Sequence, residues 1–195
     1  AERQAAAGVD AIIAQGTEGG GHTGRVATLP LIPQVVDAVA PKPVVAAGGT
    51  ADGRGVAAAL ALGADAAWIG SLFLTAEECG LPDDCKTELV AARSTDMEIT
   101  RAWTGKTLRA RRNPVSEAWA KSGLDPLPTP HQRVLMEDFM EAAKAAGRWD
   151  LFMNAAGQGV GMVDRIRPAK EIMAELVSGA VDALDELDRR LGRGA

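Results

Sequence analysis

The stretch Gln15–Gly24 reads QGTEGGGHTG and holds His22, one of two histidines in the 195-residue sequence. Three glycines precede that histidine, and a Thr-Gly pair follows it. An imidazole can serve near neutral pH as a general base or as a cationic partner for an anion. Backbone without Cβ atoms lets a flat ligand lie close to the chain. Gln15 opens the same loop, followed by Gly16. Its amide can donate and accept at once, either to a heterocyclic edge or to backbone as a cap. Two more loops have a related composition: AGGTADG at Ala47–Gly53, with Gly48 and Gly49, and IGSLF at Ile69–Phe73, with Gly70 and Ser71. Successive free N–H groups in such loops form an anion nest, and a helix opening behind them adds its positive end. One such loop is more often a simple turn. Two in tandem favour a phosphate site. A last glycine cluster, AGQGVG at Ala156–Gly161, includes Gly157 and Gln158. His131 stands in a loop with Pro126, Pro128 and Pro130 and reads as a surface residue.

Other chemistries are poorly supported. No G-x-G-x-x-G follows a strand, and TGKT at Thr104–Thr107 lacks the first glycine of a Walker loop. Neither H-E-x-x-H nor G-x-S-x-G occurs. Cys79 and Cys85 cannot build a disulfide framework or a four-ligand zinc site, so no metal is expected and free thiols are.

The elements that would position these loops follow one rhythm. Helix is expected at Glu2–Ala7, strand at Asp10–Gln15 and helix at Pro30–Ala40 with Pro30 or Pro33 in its first turn. Strand follows at Pro43–Ala47, helix from Asp52 to about Leu62, and strand at Asp65–Gly70. PVVAA is apolar at every position, as in a parallel strand buried on both faces. Ligands of such α/β units bind at the carboxyl ends of the strands, where all three candidate loops fall. Residues 76–93 read as helical, and 95–115 as an extended basic connector with a short hairpin at Thr104-Gly105. Arg101, Lys106, Arg109, Arg111 and Arg112 concentrate charge there, either as a solvated face or as a rim for an anionic substrate. Helix is expected again at Val134–Ala146. A long amphipathic helix is expected at Pro168–Leu191, its stripe formed by Ile172, Leu176, Val181, Leu184, Leu187 and Leu191.

Composition sets outer bounds. The sequence is 47% hydrophobic and 24% charged, with net charge -5, which is globular and argues against a nucleic-acid or anionic-membrane partner. Aromatics are 4%, too few for base-stacking platforms. There is no membrane-length apolar run or signal-peptide pattern, and a cytoplasmic location is expected. Residue 1 is an alanine inside a helical stretch, and three strands neither close a barrel nor make a typical sheet. An N-terminal part is therefore expected to be missing, and the segment to fold poorly alone, with strand edges exposed.

The segments GVDAIIAQGTEGGGHTG, PVVAAGGTADGRGVAAALALGADAAWIGSLFL and AAGQGVG together resemble the nitronate monooxygenase family, formerly 2-nitropropane dioxygenases. The likeness spans residues 1 to about 115 and returns near 150–170. It implies an FMN-dependent (β/α)₈ TIM barrel of which this chain carries strands six to eight. Residues 1–75 would be that C-terminal barrel part, 76–150 a mainly helical substrate subdomain, and 151–195 a flavin-adjacent loop with a helix packing back. By the resemblance His22 is the active-site histidine. Gly48 and Gly49 hold the flavin phosphate together with Gly70 and Ser71, while Gln15, Gly16, Gly157 and Gln158 lie beside the ring. The implied reaction is oxidation of an alkyl nitronate by O2. Similar flavin reductases act on coenzyme A or acyl thioesters, with NAD(P)H as electron donor, and a third reading is a non-catalytic barrel fragment. The implied partner is a second copy or the missing barrel half. The family commonly has Ala where Gly19 stands, Arg where Thr23 stands and Ile where Thr50 stands.

Overall fold

The computed structural model describes residues 1–192. The chain opens with α1 (Glu2–Ala6), β1 (Ile12–Gln15), β2 (Gly21–His22), α2 (Thr28–Val39) and β3 (Val44–Ala47). It continues through α3 (Gly53–Ala61), β4 (Ala66–Trp68), the single turn α4 (Ser71–Leu74) and α5 (Asp83–Val90). Then come β5 (Met97–Thr100), β6 (Leu108–Arg111), α6 (Pro114–Ser122), α7 (His131–Ala145) and α8 (Ala169–Arg190).

Strands β1, β3 and β4 form a parallel sheet in that order, each joined to the next through a helix. Gln15, Ala47 and Trp68 lie side by side in register, so the three following loops leave one edge together. One face of the sheet is packed: Ile12, Ala14, Val44 and Ala46 are buried with Ile32 and Val39 of α2 and Ala59 of α3. The other face carries Ile13, Gln15, Val45, Ala47 and Trp68, and it is largely bare, with Ile13 51% and Trp68 60% exposed. Within the apolar run of β3, Val44, Ala46 and Ala47 are buried and Val45 is partly exposed.

Helix α2 starts two residues ahead of the expected Pro30, at Thr28. Its first N–H donates to the Glu18 carboxylate, at 2.9 and 3.1 Å to the two oxygens, so a residue from the preceding loop supplies the cap. Pro30 lies in its first turn, as expected of one of the two prolines, and Pro33 lies further inside the helix. Asp52 caps α3 locally, accepting from Gly55 N–H at 2.9 Å.

The region 76–150 carries the helices α5, α6 and α7 together with the strands β5 and β6. Helix covers only Asp83–Val90 of the stretch 76–93. Residues 97–111 form an antiparallel hairpin around Thr104-Gly105, as expected, but it is part of a three-stranded sheet, β2-β6-β5. The third strand is Gly21–His22 from the early glycine loop. A second core lies beneath this sheet, with Trp103, Leu108, Ala110 and Met136 buried.

The stripe expected on α8 is half realised. Ile172, Leu176 and Ala180 are buried, but Val181, Leu184, Leu187 and Leu191 are at least 40% exposed. The contact is set by small residues: a Cβ on Gly53 would lie 2.2 Å from the Gly179 carbonyl carbon, so α3 and α8 touch backbone to backbone there. Beyond that crossing Leu184 and Leu187 line an open groove with Ala57, Ala58 and Ala61 of α3. Among the described residues no helix is long and apolar enough to cross a membrane.

Candidate active site

The loops after β1, β3 and β4 surround one cavity of about 270 Å³. Its walls include Gln15, Gly48, Gly49, Gly70 and Ser71 from the expected set, with Gly20, Thr50, Trp68, Leu74 and Gly159 besides. Gly48 and Gly49 have φ of +99° and +79°, a left-handed pair that L side chains rarely adopt. Among the described residues, the N–H groups of Gly48, Gly49, Gly70 and Ser71 donate to no other backbone group. Gly70 lines the cavity, and a Cβ there would meet nothing within 4 Å, so any side chain would occupy that space. The two loops therefore offer unpaired donors and no side-chain obstruction, the donor set an anion such as a phosphate needs.

The other expected residues play different parts. Gly16 is buried and absent from the cavity wall; a Cβ there would strike Thr28, so its small size serves the packing of α2. The Gln15 amide donates to His22 O at 3.1 Å and Gly20 O at 3.3 Å, the capping role, while its flank still lines the cavity. Ser71 Oγ accepts from Gly157 N–H at 2.7 Å and keeps its own proton for another acceptor. Gly157 and Gln158 do not line the cavity. They fasten the late loop to the early one, with Gln158 N–H donating to Glu18 O at 2.9 Å and Ser94 Oγ donating to Gln158 O at 2.7 Å. The bareness of Gly19–Gly21 has the same origin in part: a Cβ on Gly20 would sit 2.6 Å from the Ala156 carbonyl carbon.

His22 is exposed and stands beside the cavity, in β2, outside its lining residues. Its Nε2 is 2.9 Å from Thr104 Oγ1 in the hairpin turn. Thr104 is only 9% exposed and was not singled out by the sequence, since its motif reads as a failed nucleotide loop. Arg109, two positions from a surface-like Lys-Thr pair, is also a hidden part of the site. It is buried, donating to Thr17 O at 3.0 and 3.1 Å and to Met97 O at 2.8 Å. Burial lowers the guanidinium's proton affinity and Glu18 opposes that; an arginine stays charged regardless.

The basic segment is not a free cationic rim. Arg111 and Arg112 pair with Glu88 and Glu98 at 3.1 and 3.2 Å. Arg101 donates to Gly105 O and Pro126 O, and Arg109 is spent internally. Lys106 alone of the five makes no side-chain bond among the described residues. No group of three or more His, Cys, Asp or Glu among the described residues could hold a metal ion.

With this geometry in view, the comparisons are specific. The family model described as nitronate monooxygenase matches residues 1–179. A Mycobacterium tuberculosis protein with a provisional monooxygenase name is 46% identical over 194 residues, covering 96% of this chain and 52% of the relative. A Staphylococcus aureus protein, also provisionally named a nitronate monooxygenase, is 35% identical, covering 88% of this chain and 51% of its own length. Among solved structures, nitroalkane oxidase from Streptomyces ansochromogenes superposes with a TM-score of 0.86 at 36% identity, over 95% of this chain and 56% of that one. FabK from Thermotoga maritima superposes at 0.85 with 33% identity, over 97% and 60%. The chain spans about half the length of the curated relatives it matches.

Proposed function

The chain belongs to the nitronate monooxygenase family of oxidoreductases, and on that premise we propose that it carries the phosphate and histidine side of an FMN site that oxidises alkyl nitronates with O2. The observation that carries the reading is the cavity itself: two glycine loops with unpaired N–H donors and the His22 loop meet at the carboxyl edge of three parallel strands. The residues present fit the group. Gly48, Gly49, Gly70 and Ser71 would hold the phosphate through N–H groups and the Ser71 hydroxyl proton. When bound, FMN would supply the electron transfer from nitronate to dioxygen. His22, on the rim, would take up a proton or offset the negative charge of the nitronate. Gln15 and Arg109 act on the protein side, fixing the carbonyls of the loop that carries His22.

At about 270 Å³ the cavity falls just below the usual range for ligand sites, room for a phosphate and its chain but not for a whole flavin. The remaining wall, on this reading, comes from the first five strands of a (β/α)₈ barrel, in which β1, β3 and β4 are strands six to eight. The bare face with Ile13 and Trp68 then lies inside the barrel. The match lengths of the relatives support this reading.

A thioester reductase would use the same cofactor. The engaged arginines of residues 101–112 speak against a phosphate rim for coenzyme A there. The test is the absorption spectrum of the purified protein, followed by oxygen uptake with alkyl nitronates and by NAD(P)H oxidation with an enoyl thioester. Flavin absorption and nitronate-dependent uptake support the proposal. A colourless protein that FMN cannot reconstitute refutes it and favours a non-catalytic module, and turnover only with the thioester replaces the substrate.

A further inference from the structure

His22 has one ring nitrogen engaged and one presented. Nε2 lies 2.9 Å from Thr104 Oγ1, while Nδ1 has no partner among the described residues. Thr104 is held where it is. Gly105 N–H donates to Arg101 O at 2.9 Å, Arg101 Nε donates back to Gly105 O at 3.2 Å, and β5 and β6 pair on either side. A Cβ on Gly105 would fall 2.3 Å from Leu127 O, so the turn is seated against the following loop. The strand carrying His22 is fixed from the other side, where the Gln15 amide donates to His22 O. Ring and hydroxyl are thus placed by separate elements 82 residues apart in sequence.

We propose that Thr104 is a positioning residue for His22: its oxygen accepts from Nε2–H and leaves Nδ1 as the nitrogen that exchanges a proton with substrate. The hydroxyl proton then points to Lys106 O, 3.4 Å away. In that arrangement the same oxygen serves the neutral ring and the imidazolium, because both donate from Nε2. No side chain has to turn when the proton arrives at Nδ1. The hairpin carries Glu98, Arg101, Lys106, Arg109 and Arg111. Glu98 pairs with Arg112 and Arg111 with Glu88, Arg101 is bonded to Gly105 and Pro126, Arg109 to Thr17 and Met97, and none of the five is hydrogen-bonded to the ring. The inference rests on the histidine role proposed above, and its test separates the two.

The experiment is nitrogen NMR of ¹⁵N-histidine-labelled protein, with His22→Asn assigning the signals, in the wild type and in Thr104→Val and Thr104→Ser. The expected result is a protected Nε2–H proton on a neutral His22 with Nδ1 in the acceptor form. That signal should persist in Thr104→Ser and be lost to water exchange in Thr104→Val. An acceptor-type Nε2 in the wild type, or an unchanged Nε2–H in Thr104→Val, overturns the proposal. Thr104→Ser guards against misfolding, since it removes a methyl group and keeps the oxygen. On nitronate oxidation, Thr104→Val should lower kcat by about tenfold to a hundredfold with little change in KM, the cost of a misplaced group. If the NMR result holds while His22→Asn leaves oxidation intact, the Thr104–His22 pair stands and the catalytic role proposed for His22 fails.

Discussion

The glycines of the His22 loop make a graded prediction, because the structure gives each a different reason to lack a side chain. Gly20→Ala places a Cβ 2.6 Å from the Ala156 carbonyl carbon. Reaching an ordinary carbon contact of about 3.5 Å means moving the late loop away by about 0.9 Å. That movement lengthens Gly157 N–H to Ser71 Oγ, now 2.7 Å, and Gln158 N–H to Glu18 O, now 2.9 Å, beyond useful range. Two net hydrogen bonds at about 1 kcal/mol each, plus overpacking, put the cost at about 3 kcal/mol. Gly21 has φ +72° and open space around it, so Gly21→Ala pays only the left-handed backbone, about 1 kcal/mol. Gly24 has neither constraint, and Gly24→Ala should be neutral or stabilising by a few tenths of a kcal/mol. Urea titration of the purified protein reads the order as midpoints at constant slope. Equal losses at Gly20 and Gly21, or a clear loss at Gly24, would refute the idea that loop-on-loop packing dictates these residues.

Two further outcomes concern ionisable groups. Burial raises the Glu88 carboxyl above its ordinary value, with Arg111 offsetting this in part. The folded chain binds that proton more tightly than the unfolded chain does. Its stabilising contribution is therefore complete below the ordinary carboxylate range and is lost as pH rises through the elevated folded value. Glu88→Gln should flatten the fall of the urea midpoint over that window, and an unchanged slope would count against it. Cys85 is fully buried with its thiol pushed up to about 11, whereas Cys79 is partly exposed. A thiol reagent should label Cys79 in the native protein and Cys85 only after unfolding; mass spectrometry of native-labelled peptides decides it.

The parallel unit was legible because its signals are local. Apolar runs ending in glycine mark β1, β3 and β4, and the loops at their carboxyl ends do converge on one cavity. What stayed hidden depends on partners far away in sequence. A two-residue strand such as Gly21–His22 has no periodicity to read, and it exists only because β6 lies beside it. The arginines of 101–112 look alike in sequence, yet Arg109 is buried and the others turn to different partners, a division set by the distant segments that each one meets. Likewise the α8 stripe could not foretell that Gly53 and Gly179 would set the crossing. Gly16, Gly157 and Gln158, put beside a flavin ring by the family resemblance, lie outside the cavity wall in this chain and make contacts between protein segments.

The fastening of residues 154–158 onto residues 16–22 has a consequence for biosynthesis. Gln158 N–H reaches back to Glu18 O, and Arg111 N–H reaches forward to Asn154 O. A nascent chain that has emerged only through the three parallel strands lacks both the hairpin that flanks His22 and the wedge that seats Gly20. Its cavity loops stay unset until roughly 90 further residues have been made, from Trp68 at the end of β4 to Gln158. Closure of the cavity is thus timed by the arrival of that late loop.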